Sequence, residues 1–456
     1  MPDQKPQRMP FVPELGNRDT SDQKDARLVN GFIEILGQDH VNLYKRPGLT
    51  EATGGPGTAS TGNGVYFWQG DKYAVFGTTL YKNGGSIGTV DAGRYHFSST
   101  LGTPRYLFLS TATKAYYYDG TTLTAVVDVD YPATTVPGSA YLNGVTYVMT
   151  PDAAIHGCDT NTPSSWEALN KILAQIEPDG GVALAKQLTY VVALKETSVE
   201  VFYDAGNATG SPLSPVQGAK VNYGCRWAES LQDLDGTLIW VGKTRSGPIE
   251  VLAMDGLKVQ PISNPRVSRL LEAFDGATIS SWRAKISGHK FYGITSASTN
   301  ITLVYDVGQK FWSEWGDSGG GEWSIVAGDF DASGNTLLQH ATNGKLATLV
   351  PAIATDFGST FTLDLYTPEY DGETKIIKYL KRMDLVSDIR AGTVSVRFSE
   401  DDYTTWSAFR DWDLAQKRPS ITDCGSFTRR AWHLRNTDAL PLRLKGVEFQ
   451  IDLGTL

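Results

Sequence analysis

From Gly64 to about residue 350 the chain alternates small polar turns with short apolar runs rich in aromatic residues, and it does so on a steady beat. Clear copies of the unit begin at Asn63-Gly64 before VYFW, Asn143-Gly144 before VTYV, Asp235-Gly236 before TLIWV and Ser287-Gly288 before HKFYG. Weaker copies begin at Thr103-Pro104, Lys186-Gln187 and Ser333-Gly334, so the unit recurs every 40 to 52 residues. Each copy pairs a β-rich strand with a second apolar strand that runs into an Asp or Asn turn. One small sheet cannot bury both faces, whereas sheets stacked radially cover one another and leave short edges. The pattern therefore predicts an all-β protein, a β-propeller of six to eight blades over residues 61–357. A tandem of β-sandwiches is the competing architecture, but it has no reason to repeat one turn and one aromatic strand at this period.

Two stretches break the rhythm and predict helices. Ser164-Ser165-Trp166-Glu167 has capping-box spacing, with Trp166, Leu169, Ile172, Leu173 and Ile176 on one helical face. Asn264-Pro265 supplies an N-cap and a first-turn proline for a second helix ending near Asp275-Gly276. Residues 1–60 read as a polar, Pro-punctuated N-terminal arm and linker that must lie on something else, because it has too little apolar surface to fold alone. Beyond residue 358 the beat changes to alternating strands, which predicts a separate C-terminal β-sandwich over 358–456.

Composition narrows the function. The 456 residues include 11 Trp, 21 Tyr and 17 Phe, enough for a large core, and 41 Lys+Arg against 50 Asp+Glu give a net charge of −9. An acidic chain with dispersed cations disfavours wrapping of nucleic acid, though a weakly repulsive passage for DNA would be compatible with it. The longest apolar run, Leu188 to Leu194, is far short of the roughly 18 residues of a membrane-spanning helix. The amino terminus carries no apolar h-region, so synthesis in a cytoplasm is expected. Cys158, Cys225 and Cys424 are odd in number and unclustered, which predicts buried thiols and no zinc site.

Several motifs could carry chemistry. Ser399, Asp401, Thr405 and Trp406 have Asp-box spacing, with Tyr403 where Gly is preferred; the motif is associated with sialidase propellers, where it staples a turn. Asp329-Phe330-Asp331-Ala332-Ser333-Gly334 resembles the front of a calcium loop, but His340 stands where a bidentate Glu belongs, and a hairpin turn is the better reading. Ser318 to Glu322 is glycine-rich without the Lys-Ser/Thr of a phosphate loop. The six histidines (His40, His96, His156, His289, His340, His433) include no HExxH and no pair at metal-ligand spacing. No catalytic, cofactor-binding or metal residue is singled out, and no cofactor is expected. Tyr116 to Tyr118, Phe311 to Trp315 and Trp406 to Trp412 read as strand residues divided between blade packing and partner contact.

The ordered series Arg46-Pro47-Gly48-Leu49, Ser198-Val199-Glu200-Val201-Phe202-Tyr203, Tyr223-Gly224-Cys225, Asp235 to Trp240, Ile262-Ser263, Leu303-Val304-Tyr305-Asp306 and Phe311 to Trp315 resembles the packaged-DNA stabilisation proteins of short-tailed bacteriophages, their tail hub or nozzle proteins. The likeness runs from about residue 40 to 320. It implies a non-enzymatic virion component made in the host cytoplasm. It also implies a homohexameric ring below the portal and its adaptor ring, extending the DNA channel without sequence-specific contact, retaining the packaged genome, and anchoring tail fibres or spikes and the tail needle or tip. An arm exchanged between neighbours would tie such a ring together. The alternatives are a propeller glycosidase or carbohydrate-binding tail protein, suggested by the Asp-box and the aromatics, and a propeller scaffold of a bacterial cell.

Overall fold

The computed structural model describes residues 7–9, 11, 26–36, 41–219 and 221–454. The recurring turn of the sequence is the hinge of a hairpin. At Asn143-Gly144, Asp235-Gly236 and Ser287-Gly288 both residues have positive φ, the left-handed pair that joins twisted antiparallel strands in two residues. In each case it connects the first and second strands of a four-stranded antiparallel sheet. Among the described residues seven such units follow in chain order: 62–89, 96–125, 140–173, 181–215, 232–261, 279–314 and 325–350. They are blades one to seven of a β-propeller. The sequence beat was out of phase in the first unit, where Asn63-Gly64 lies inside the strand Gly62–Trp68 and the hinge is Gln69-Gly70, and in the fourth, where Lys186-Gln187 ends the strand Gly181–Gln187 and the hinge is Leu188-Thr189.

The first strand of each blade is the innermost. The first strand of blade seven, Ile325–Phe330, packs against that of blade one, Gly62–Trp68, and this contact closes the circle. Aliphatic and aromatic side chains from adjacent blades fill the seams, as with Val148 and Phe202 between blades three and four.

Blade seven takes its fourth strand from the other end of the chain: Gly48–Ala52 pairs antiparallel with Leu346–Val350. Joining the ends of a ring through one sheet removes two edges at once. Where it is described, the segment expected to be an arm lying on something else pairs with strands of its own chain. Arg27–Val29 pairs with Phe311–Glu314 of blade six and with Leu363–Tyr366, and Val41–Lys45 pairs with the C-terminal strand Arg443–Leu453. Leu28, Ile33 and Leu43 of this segment are buried in a core of its own chain. The remainder of the expected arm lies mostly outside the described residues.

The C-terminal unit consists of two sheets facing one core of Leu380, Met383, Trp412, Trp432, Leu434 and Phe449. One of these sheets continues blade six through Arg27–Val29, and Thr355–Asp356 adds to blade seven, so the unit grows from the outer edges of blades six and seven.

The helix predicted by Asn264-Pro265 forms over Pro265–Glu272, with the Asn264 side chain accepting from the Val267 N–H. The helix predicted from Ser164 does not form. Residues Thr162–Leu173 are instead the outer strand of blade three, paired with Ala154–Asp159. Trp166 and Ile172 pack inward, while Leu169, which the helical face required to be buried, is exposed. The neighbouring strand supplies ladder partners at both ends of the segment and at Trp166, across two register shifts, and that outweighs a local capping signal.

Candidate functional site

A propeller's usual place for chemistry is its bore, and here all seven inner strands line one cavity of about 410 Å³. At roughly 30 Å³ per water molecule, that is space for on the order of a dozen waters. Charged side chains cross it. Arg94, just before the first strand of blade two, and His96, its first residue, bracket Glu229 at 2.9 and 3.1 Å. Burial pushes the Glu229 carboxyl up, but the His96 and Arg94 charges outweigh it and bring its pKa down to about 2. On the opposite arc Arg283 of blade six meets Asp329 of blade seven at 2.5 Å and also donates to the Asp233 carbonyl. The second Asp329 oxygen accepts the Phe67 N–H at 2.8 Å. Gln232 donates to Ser281, and Ser281 to the Glu229 carbonyl. Ion pairs and hydrogen bonds thus tie five of the seven inner strands across the bore.

The motifs with possible chemistry are used up by turns and seams. Asp401 accepts from Ser399 and from the Thr405 N–H and hydroxyl, at 2.9, 2.9 and 2.5 Å, and Tyr403 donates its N–H to Ser399. These bonds hold the Asp401 carboxyl at about 2, the state of a turn staple rather than of a proton donor. Asp329 and Asp331 do not converge: Asp329 belongs to the bore, while Asp331 accepts from Ser333 and Asn335 in the hairpin. Among the described residues no group of three His, Cys, Asp or Glu side chains could hold a metal ion. All three cysteines are buried thiols, and Cys225 is pushed up to about 12 by burial.

Sequence reasoning missed the residue at the centre of the architecture, Arg46. Its guanidinium is fully buried where the closing strand, blades six and seven and the C-terminal unit meet. It pairs with both oxygens of Asp356 at 3.0 and 2.5 Å, donates to Asn30 Oδ1 and to the Gly316 carbonyl, and lies 3.6 Å from the Phe361 ring centroid. Trp323 Nε1 completes the carboxylate's shell at 3.2 Å. The neighbouring Gly48 has no space for a side chain, since a Cβ there would sit 2.3 Å from the Thr355 carbonyl oxygen. An arginine beside Pro-Gly in an otherwise polar stretch was the available signal.

The other resemblance-bearing segments share this character. Gly224 passes so close to Glu196 that a Cβ would lie 2.2 Å from its carbonyl oxygen, and its own carbonyl accepts from Trp240 Nε1. Trp312 Nε1 donates to Ile262 O, Glu314 pairs with Arg266, and Trp315 packs against Trp282 and Trp323. Each of these contacts joins one element of the framework to another.

Seven sheets around an ion-paired bore, with the candidate motifs engaged in turns and seams, make this a protein of the β-propeller class. A family model described as bacteriophage P22 Gp10, β-propeller, matches residues 17–334, and the chain belongs to that family. It is a structural protein of a bacteriophage virion. Among curated proteins none matches. The WD40 repeats of RRP9 are similar at 10% identity, covering 67% of this chain and 99% of that one, with a TM-score of 0.41. BamB from Moraxella catarrhalis is similar at 12% identity over 70% and 92%, with a TM-score of 0.38, and the WD40 propeller of Doa1 at 9% over 67% and 97%, with 0.40. Likenesses at that level carry nothing about activity or assembly.

Proposed function

We propose that the chain is the repeating subunit of a ring-shaped tail hub, or nozzle, below the portal and its adaptor ring. The ring is a homohexamer. It prolongs the DNA channel, holds the packaged genome in place, and offers its outer surface to tail fibres or spikes and to the needle or tip.

The observation that carries this reading is the narrow, ion-paired bore. A duplex whose major groove alone is about 12 Å wide cannot enter a cavity of about 410 Å³ crossed by ion pairs. A chain of this family can therefore surround DNA only as one of several copies around a wider axis, and a rigid, internally braced propeller suits a ring segment. The net charge of −9 suits a wall that DNA slides past without adhering.

Electron microscopy of the purified protein mixed with a portal–adaptor complex tests it. The expected image is a closed ring of propellers continuing the portal axis, with an open lumen between subunits. A protein that stays monomeric in that mixture and is missing from purified virions would refute the reading.

A further inference from the structure

Lys45 and Asn436 meet between the two sheets of the C-terminal unit. Lys45 ends the strand Val41–Lys45 in one sheet, and Asn436 ends Ala431–Asn436 in the other. Water is largely kept out: the two residues are 4% and 1% exposed, and the buried Phe361 ring has its centroid 5.0 Å from the lysine nitrogen. Lys45 Nζ contacts three oxygens, the Asp438 carbonyl at 2.7 Å, the Asn436 main-chain carbonyl at 3.4 Å and the side-chain Asn436 Oδ1 at 3.2 Å. With a C=O bond of about 1.23 Å, the nitrogen lies within about 4.4 Å of the carboxamide carbon. The carboxamide is fixed in this pose, because its Nδ2 donates to the Thr393 carbonyl at 2.8 Å and to Asp438 Oδ2 at 3.0 Å. Arg390 at 3.2 Å and the Thr393 N–H at 3.0 Å hold that carboxylate in turn.

A buried ammonium donating to carbonyls is an ordinary core feature, and Lys378 does so to Thr374, Ile376 and Thr428. The Lys45 site differs in two respects. One of its oxygens belongs to a side-chain amide, a carbonyl whose nitrogen can leave as ammonia. Burial also brings Lys45 from 10.5 to about 7, with Asp438 and Asp364 opposing and Arg46 and Arg390 assisting, so above neutral pH the amine is mostly uncharged. An uncharged amine has two hydrogens, enough for the two main-chain carbonyls, and a lone pair left for the carboxamide.

The geometry points to an isopeptide bond that forms between Lys45 and Asn436 in the folded chain. Nζ attacks Asn436 Cγ, a bond from Nζ to Cγ forms, and the bond from Cγ to Nδ2 breaks. Asp438 Oδ2, already on Nδ2, relays the proton that Nζ sheds to the leaving nitrogen, which departs as ammonia; no other reactant takes part. Holding amine and amide together replaces an encounter in solution. Freshly folded protein carries the free amine, and the link accumulates with time. It staples one sheet of the unit to the other, and a cross-link between positions 391 residues apart restricts the unfolded chain strongly.

The unaltered full chain is kept folded below and above the Lys45 value of about 7 and followed by intact mass spectrometry and tryptic mapping. The mass should fall by one ammonia, faster at the higher pH, and a branched peptide should join Leu28–Lys72 to Asn436–Arg443. In urea, where the two side chains separate, no branched peptide should appear. Asp438→Asn, checked for an unchanged fold by tryptophan fluorescence, should slow its appearance about a hundredfold. A folded unaltered chain that keeps its full mass overturns the bond. So does loss of ammonia without the branched peptide, the result of a succinimide at an Asn-Gly turn. A folded Asp438→Asn chain that links at the unaltered rate overturns the relay.

Discussion

Replacing Arg46 by methionine is the sharpest test of how this fold is held together. The substitution keeps most of the aliphatic stem but removes a fully buried guanidinium from Asp356, which is itself only 8% exposed. The carboxylate keeps Trp323 Nε1 at 3.2 Å and loses the Arg46 cation, and the Gly316 carbonyl loses a donor at 2.8 Å. Removing one partner of a buried pair costs about 3–5 kcal/mol, a large share of the roughly 5–15 kcal/mol that keeps a domain folded. A control lies on the same closing strand: Lys345 and Glu51 pair at 2.7 Å with both side chains more than a third exposed, and Lys345→Ala should cost about 0–1 kcal/mol. Urea denaturation followed by tryptophan fluorescence reads both, and Trp323 lies 5.1 Å from the Arg46 guanidinium. The double variant Arg46→Met/Asp356→Leu should regain part of the loss, because no unpaired charge remains buried. If Arg46→Met is no more harmful than Lys345→Ala, the assignment of Arg46 as the clamp of ring closure is wrong.

Other expectations follow from the same contacts. Arg283→Met leaves Asp329 in the bore without its cation and should cost about 3–5 kcal/mol in the same denaturation assay. Gly224→Ala forces a Cβ against the Glu196 backbone and should cost about 1–3 kcal/mol, with a larger loss for Val. Burial draws the His289 pKa down, but Asp306 at 2.5 Å and Glu34 at 3.3 Å more than offset it and hold it above the ordinary 6.5. Its contribution to stability is therefore complete below 6.5 and disappears as pH rises through the raised value; His289→Gln should remove that slope from a stability–pH profile. Lys45 behaves oppositely: burial brings it from 10.5 to about 7, with Asp438 and Asp364 opposing and Arg46 and Arg390 assisting. Between 7 and 10.5 the unfolded chain binds the proton that the folded chain has lost, so stability climbs with pH in that window, and Lys45→Met should flatten the climb.

The repeat of turn and aromatic strand was sufficient to define an all-β propeller, because a two-residue left-handed hinge such as Asp235-Gly236 and the alternation beside it depend on neighbours in sequence alone. The helix at Pro265 was legible for the same local reason. Where the decisive partner is remote, sequence fell short. Thr162–Leu173 is a strand because Ala154–Asp159 lies beside it, and Gly48–Ala52 closes a blade because Leu346–Val350, some 300 residues away, presents an open edge. The carboxylates show the divide most clearly. Asp329, Asp331 and Asp401 are three similar letters in turn-like surroundings, yet one is a strut across the bore and two are staples of hairpins. A side chain's charge is written in the sequence, but the cation, N–H or hydroxyl that it meets is set by packing between distant strands, and only the tertiary structure brings those together.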